Sequence, residues 1–342
     1  MGPDSLLTYL RQILREARSV VLHAGGVETG PVGLLTYLRR TLRHAGSLAL
    51  LIMAPLAAAA SDTPLLDYAA RLSFATMPYE AELRQQLARV SHEIERHPPP
   101  ETDCARTLGA ARFAHLFEEL GAARSGVGDY EGAAEAFTRA LDCHPRAAYL
   151  HAQLTEELLH LGRYEQARSV VQRGLTIEPE DATLRSLLAR LDFVEERWSD
   201  AIENFRAAIT LTENDELATY WQCFLWLAQR RAGEAAPKPA NRLPAEGWPR
   251  PILEMLQGKE TQQALLEAIE NETDLEIQRE MLSEALYYVG QQHLAEGRLE
   301  LARRYLAATV NLKVLYYIEH HMALAELAKP RMQAVGQQQH DD

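Results

Sequence analysis

An all-α fold of stacked antiparallel helix pairs is predicted for this 342-residue chain by three observations. A motif recurs every 34 residues, glycine and proline punctuate it at matching places, and alanine, leucine, glutamate and arginine dominate the composition, which favours helix. GDYEGAAEAFTRALDCHP (128–145) aligns with GRYEQARSVVQRGLTIEP (162–179), so that Gly128 and Gly162, Tyr130 and Tyr164, Ala133 and Ala167, and Pro145 and Pro179 fall 34 residues apart. Trp198, Ala201, Phe205 and Ala208 extend the series, matching Tyr130, Ala133, Phe137 and Ala140.

Each feature has a physical reason. Ala133, Ala167 and Ala201 stand where the two helices of a pair approach closely. Tyr130, Tyr164 and Trp198 fill the hole between neighbouring pairs. The prolines end the second helix of a pair. A single pair cannot bury its apolar face, so copies must stack. These residues resemble the tetratricopeptide repeat (TPR), whose period is 34, and the resemblance implies a superhelical α-solenoid.

Unit one is placed at about 114–147, with Phe117, Leu120 and Gly121 in its first helix. Unit two covers 148–181 and unit three 182–215, and a fourth first helix follows at about 216–232. A proline-rich linker, 233–251, interrupts the array. Short helices are expected at 252–256 and 262–270. A further TPR-like unit (283–315) carries Gly290, Gly297, Leu299, Ala302 and Leu306 in the places of Gly121, Gly128, Tyr130, Ala133 and Phe137. A helix at 316–328 caps the array, and the polar tail, 329–342, is expected to be disordered. Upstream, 61–103 reads as an N-terminal helical cap, with 104–232 as the main repeat region.

The formal net charge is −13, and residues 1–60 carry six Arg against three acids, which leaves the remainder near −16. So acidic a body excludes nucleic acid and anionic lipid surfaces as partners. Residues 1–60 read as a leader. Arg39, Arg40 and Arg43 precede an apolar run (47–56) that ends in small residues, the pattern of a secretory signal cleaved near Ala60. GPDSLLTYLRQILREARS (2–19) is similar to GPVGLLTYLRRTLRHAGS (30–47), so the leader looks duplicated, with the true start near Val32. No cysteine for lipid attachment follows the run. The expected mature protein is periplasmic and soluble, with no stable membrane insertion after signal removal.

Of the three cysteines, Cys104 and Cys143 are the natural pair in an oxidising compartment. Helix geometry argues against it. With a turn near Gly128, Cys143 faces about residue 112, and Cys104 lies about 12 Å beyond at 1.5 Å per residue, outside disulfide reach. Cys223 sits in an apolar helix and is expected in the core.

The sequence contains no GxSxG, HExxH, CxxC or GxxxxGK[ST] motif, so no enzyme and no cofactor are expected. His320 and His321 project about 100° apart on a helix and cannot chelate together. The TPR resemblance implies instead that the first helices line a concave, protein-binding groove. Its candidate lining residues are His115 and Glu118 in unit one, Tyr149 and Glu156 in unit two, Ser186 and Arg190 in unit three, and Tyr220 in the fourth helix. Phe193, Phe224 and Leu227 share that face, and with Tyr220 they carry a competing reading as core. Aromatic and Arg side chains make good anchors, and a partly apolar extended segment or helix is the expected ligand.

The C-terminal half is more specific. Tyr220-Trp221, Trp248-Pro249, ALYYVGQQHLAEGRLELARRYL (285–306) and IEHHMALAEL (318–327) occur in an order that resembles NlpI-like periplasmic TPR proteins over about 104–328. That resemblance implies an adaptor in the cell envelope, dimeric, with peptidoglycan hydrolases or proteases as partners. A static subunit of a secretion or polysaccharide-export machine is the alternative.

Overall fold

The computed structural model describes residues 63–71, 80–98, 104–106, 109–235, 237, 238, 240 and 242–341. The leader, its duplication and the cleavage site lie outside them. The described residues fall within the unit Asp62–Asp342 and form helices and loops only. In chain order these are α1 (Pro64–Arg71), α2 (Glu80–Arg96), a 3-10 turn (Cys104–Arg106), α3 (Ala110–Gly126), α4 (Tyr130–Cys143), α5 (Ala148–His160), α6 (Tyr164–Ile177), α7 (Ala182–Val194) and α8 (Trp198–Leu211). Then follow α9 (Asp215–Arg231), α10 (Arg250–Leu256), α11 (Gln262–Glu270), α12 (Leu275–Ala295), α13 (Leu299–Asn311), α14 (Ile318–Leu327) and α15 (Pro330–Asp341). No described helix is long and apolar enough to cross a membrane.

The repeat units are the pairs α3–α4, α5–α6, α7–α8 and α12–α13, each packed along its length. The turn inside a pair requires a left-handed residue, supplied by Gly128 (φ 81°), Gly162 (φ 69°) and Gly297 (φ 75°). In unit three Glu196 takes that place at φ 61°, a conformation a side chain normally avoids. Ala133, Ala167, Ala201 and Ala302 are fully buried, as the close approach of paired helices demands. Gly121 has the same cause: a Cβ there would meet the Phe137 ring at 2.7 Å. Asp181 and Asn214 start α7 and α9 by accepting the backbone N–H of Leu184 and Leu217.

Successive pairs stack because each second helix also packs on the next first helix, α4 on α5, α6 on α7 and α8 on α9. First helices additionally meet across units, as α5 does α7. The array breaks after α9. There α9 packs directly on α12, and α10 and α11 wedge beside it. Phe193, Phe205, Phe224, Tyr287 and Tyr288 form the core of this junction, their rings in pairs 5.3–6.1 Å apart. Cys223 is a free, buried thiol there.

Three expectations are corrected. The N-terminal cap is divided: α2 packs on α3, but α1 packs on α11, α12 and α13, at the C-terminal unit, where Leu65 is buried completely. Two apolar residues on an eight-residue helix say that it docks, not where. The tail is helical through Asp341, with Pro330 at its first position, where a missing N–H costs nothing; Met332 is buried and α15 packs on α13.

The third correction is the disulfide. Cys104 and Cys143 are bonded, with Cα atoms 4.6 Å apart. The distance estimate extended α3 in a straight line back to residue 104. The helix instead starts at Ala110, after Gly109 at φ 98°, and Cys104 sits in a separate 3-10 turn against α3 and α4. With a sequence separation of 39 residues, the cross-link removes about 4 kcal/mol of unfolded-chain entropy at 25 °C. Urea unfolding with and without reductant should show a loss of that order, and the Cys104→Ser, Cys143→Ser double variant should match the reduced protein.

Candidate functional site

Of the seven candidate lining residues, five lie near one another on α3, α5 and α7. At the α3–α5 end, Tyr149 is 47% exposed and its hydroxyl donates to Glu118 at 3.2 Å. His115 lies 3.8 Å from Glu118 on the same exposed face. Between α5 and α7, Glu156 meets Arg190 at 3.9 Å. These five candidates therefore form two adjoining clusters along successive first helices. The other two do not join them. Ser186 is 1% exposed and its hydroxyl donates to the Thr183 carbonyl, so it faces inward. Tyr220 hydrogen-bonds Glu284 of α12 in a separate cavity. Phe193, Phe224 and Leu227 are core, as the competing reading had it.

The first-helix face beyond α5 is covered by the chain itself. Helix α14 packs against α5 and α7 on one side and α12 and α13 on the other. His321 Nε2 lies 2.7 Å from the Leu315 carbonyl, which also accepts the Tyr130 hydroxyl at 2.6 Å. The rings of His160 and His321 are 4.2 Å apart and those of His320 and His321 5.2 Å. Glu319 accepts the Tyr288 hydroxyl at 3.1 Å. An ionic cluster closes the far end. Lys329 and Arg331 bind Glu196 at 2.8 and 2.6 Å, Lys329 also binds Glu326 at 2.9 Å, and Arg331 pairs with Glu326 as well. The largely buried Arg231 stands 3.4 Å from Glu196 and 3.8 Å from Glu326.

Glu196 joins the strained inter-helix turn of unit three to α14 and α15. Burial opposes its ionisation, but hydrogen bonds from Arg331 and Lys329 outweigh that and hold its carboxyl down at about 2. The histidines respond in the opposite sense. Burial lowers His160, His320 and His321 to about 4, with mutual repulsion adding at His320 and His321. Burial also raises the neighbouring Glu157, 3.6 Å from His160, to about 7. At neutral pH the three histidines are therefore uncharged in the folded protein. Neither ring nitrogen of His160 has a hydrogen-bond partner, and among the described residues no group of three or more His, Cys, Asp or Glu is placed to hold a metal ion.

Outside the first-helix face, α4 and α6 splay over α5 to leave a trough of about 850 Å³ floored by Leu154 and Leu158 and walled by Arg139, Arg163 and Arg173. Sequence reasoning missed Glu196, Glu284 and Glu326. Glu276, Glu280 and Glu284, spaced by four on α12, were the available signal for an acidic stripe. Glu196 was signalled only by occupying the place that Gly128 and Gly162 hold in units one and two.

Residues 126–191 match the tetratricopeptide repeat family model, spanning most of α4 to α7. The described helices thus have the all-α architecture of a TPR solenoid. Solved structures similar to it include the MamA protein, at 15% identity and TM-score 0.34 over 59% of this chain and 92% of that one. Another is YrrB, described as a TPR protein with an unusual peptide-binding site, at 16% identity and TM-score 0.34 over 69% of this chain and 96% of that one.

Two outcomes follow. Replacing Glu196 with Gln removes the negative charge that Lys329 and Arg331 share, so amide exchange should accelerate in α14 and α15 and stay unchanged in α3 and α4. Each buried histidine binds a proton in the unfolded chain near pH 6.5 and in the folded one only near 4. It therefore contributes stability that is complete above pH 6.5 and lost as the pH falls toward 4. Glu157 works in reverse, adding stability as the pH falls through 7. Between pH 7 and 5, His320→Gln should lose about 1–2 kcal/mol less stability than the parent chain by urea titration.

Proposed function

We propose that this protein is a non-catalytic scaffold of the bacterial cell envelope that binds partner proteins through the open, N-terminal stretch of its first-helix face. The observation that carries this reading is Tyr149 of α5, large, aromatic and 47% exposed, beside Glu118 and His115 of α3. An amphipathic aromatic at the edge of a concave face is a good anchor for a peptide or helix. The Cys104–Cys143 disulfide supports an exported, periplasmic location, because such bonds persist in oxidising compartments. The order of Trp248-Pro249, the C-terminal unit and IEHHMALAEL supports an NlpI-like adaptor with hydrolases or proteases as partners, and a homodimer belongs to the same reading.

The alternative, a fixed subunit of a secretion or export machine, is distinguished by stoichiometry. A photo-crosslinker at Tyr149 should capture defined envelope proteins, and Glu118→Lys should abolish that capture; the same crosslinker at Gln166, in the trough between α4 and α6, should not capture them. Equal labelling at both positions would defeat the groove reading. Purification in one invariant ratio with an outer-membrane assembly would favour the static subunit.

A further inference from the structure

A second concave site lies where the repeat array is interrupted, and it is independent of the groove. The linker, α9, α11 and α12 enclose a cavity of about 550 Å³. Three of its lining side chains are aromatic, Tyr220, Trp248 and Tyr317, and four are carboxylic, Glu216, Glu272, Glu280 and Glu284; among the described residues no Lys, Arg or His lines it. Glu284 is 4% exposed. It accepts the Tyr220 hydroxyl at 2.9 and 3.0 Å and the Trp248 indole N–H. Glu280 accepts the hydroxyls of Tyr317, at 3.2 Å, and Tyr316. Glu280 and Glu284 are thus oriented by neutral donors, and among the described residues no cationic side chain lines the cavity.

Placing four acids around one cavity has an electrostatic cost that a positively charged occupant removes. Burial, and then the nearby Glu319, push the Glu284 carboxyl well above the usual range, as expected for an acid without a counter-ion. The aromatic walls select among cations. A strongly hydrated metal ion needs several converging oxygens, and among the described residues no acid or histidine group is placed to supply them. An alkylammonium group pairs with carboxylate while its stem and CH groups lie on aromatic and apolar walls.

We propose that this cavity is a binding site for an alkylammonium group on an unbranched chain, with Glu280 and Glu284 as its anionic partners, Trp248, Tyr220 and Tyr317 as its walls, and Glu216 at its mouth. The cation favours the ionised form of Glu284. A lysine side chain and a free diamine share this chemistry.

Calorimetric titration of the full chain at low salt tests the proposal, with 1,5-diaminopentane and Nα-acetyl-lysine amide as probes. 1,5-Pentanediol and acetyl-norleucine amide serve as uncharged partners of similar size. Saturable one-to-one binding of an amine is expected, at least tenfold tighter than its uncharged partner and weakened by salt. Glu280→Gln should weaken it tenfold or more. Glu216→Gln, at an exposed position that cannot unfold the chain, should weaken it about threefold. The tighter of the two amines tells whether the natural source is a lysine-bearing partner or a free diamine. No saturable amine binding, equal binding of the uncharged compounds, or affinity unchanged in Glu216→Gln and in a folded Glu280→Gln would overturn the assignment.

Discussion

Every helix pair in this array leaves an apolar face that it cannot bury alone, and the cover found for that face decides the rest of the structure. At one end of the first-helix face it is left open around Tyr149. Further along, the chain supplies the cover itself, bringing α14 back over α5 and α7. A solenoid of identical units would present one continuous groove. Here α10 and α11 stand beside the contact of α12 with α9, and α14 follows the C-terminal unit inward. The division between open and filled surface is a consequence of that break.

The contact is held by unlike forces at its two ends. Toward α4 and α5 it rests on the neutral histidines His160, His320 and His321 and the half-buried Tyr130. Toward unit three it rests on charge, with Glu196 and Glu326 shared among Arg231, Lys329 and Arg331. Buried ion pairs of this kind give little net stability against an apolar replacement, but removing one partner leaves an uncompensated charge. They therefore specify the position of α15 more than they strengthen it. The backbone strain at Glu196 fits that role, since a glycine there would relax the turn and lose the anchor.

The interruption of the array also creates the acidic aromatic cavity. Trp248 arrives from the linker, Tyr220 from α9, Glu280 and Glu284 from α12, and Tyr317 from the lead-in to α14. They meet because α12 packs on α9, with α10 and α11 beside it. The break thus leaves two surfaces of different character, an exposed helical face with aromatic and acidic side chains and a half-open cavity lined by carboxylates and aromatics.

The sequence by itself determined the repeat, its turns and its close contacts. A 34-residue period, the glycines at 128, 162 and 297 and the alanines at 133, 167, 201 and 302 report local geometry, and local geometry is set by neighbours in the chain. It also supplied the ambiguity at Phe193, Phe224 and Leu227, because one helical face reads alike whether solvent, a partner or the chain's own C-terminus covers it. Only the tertiary structure resolved that choice, and only it placed α1 on the C-terminal unit, ordered the tail as α15, and brought Cys104 to Cys143 through the turn at Gly109. Each of these depends on where a segment lands after a chain reversal, and hydrophobic periodicity records that a surface is buried without recording against what.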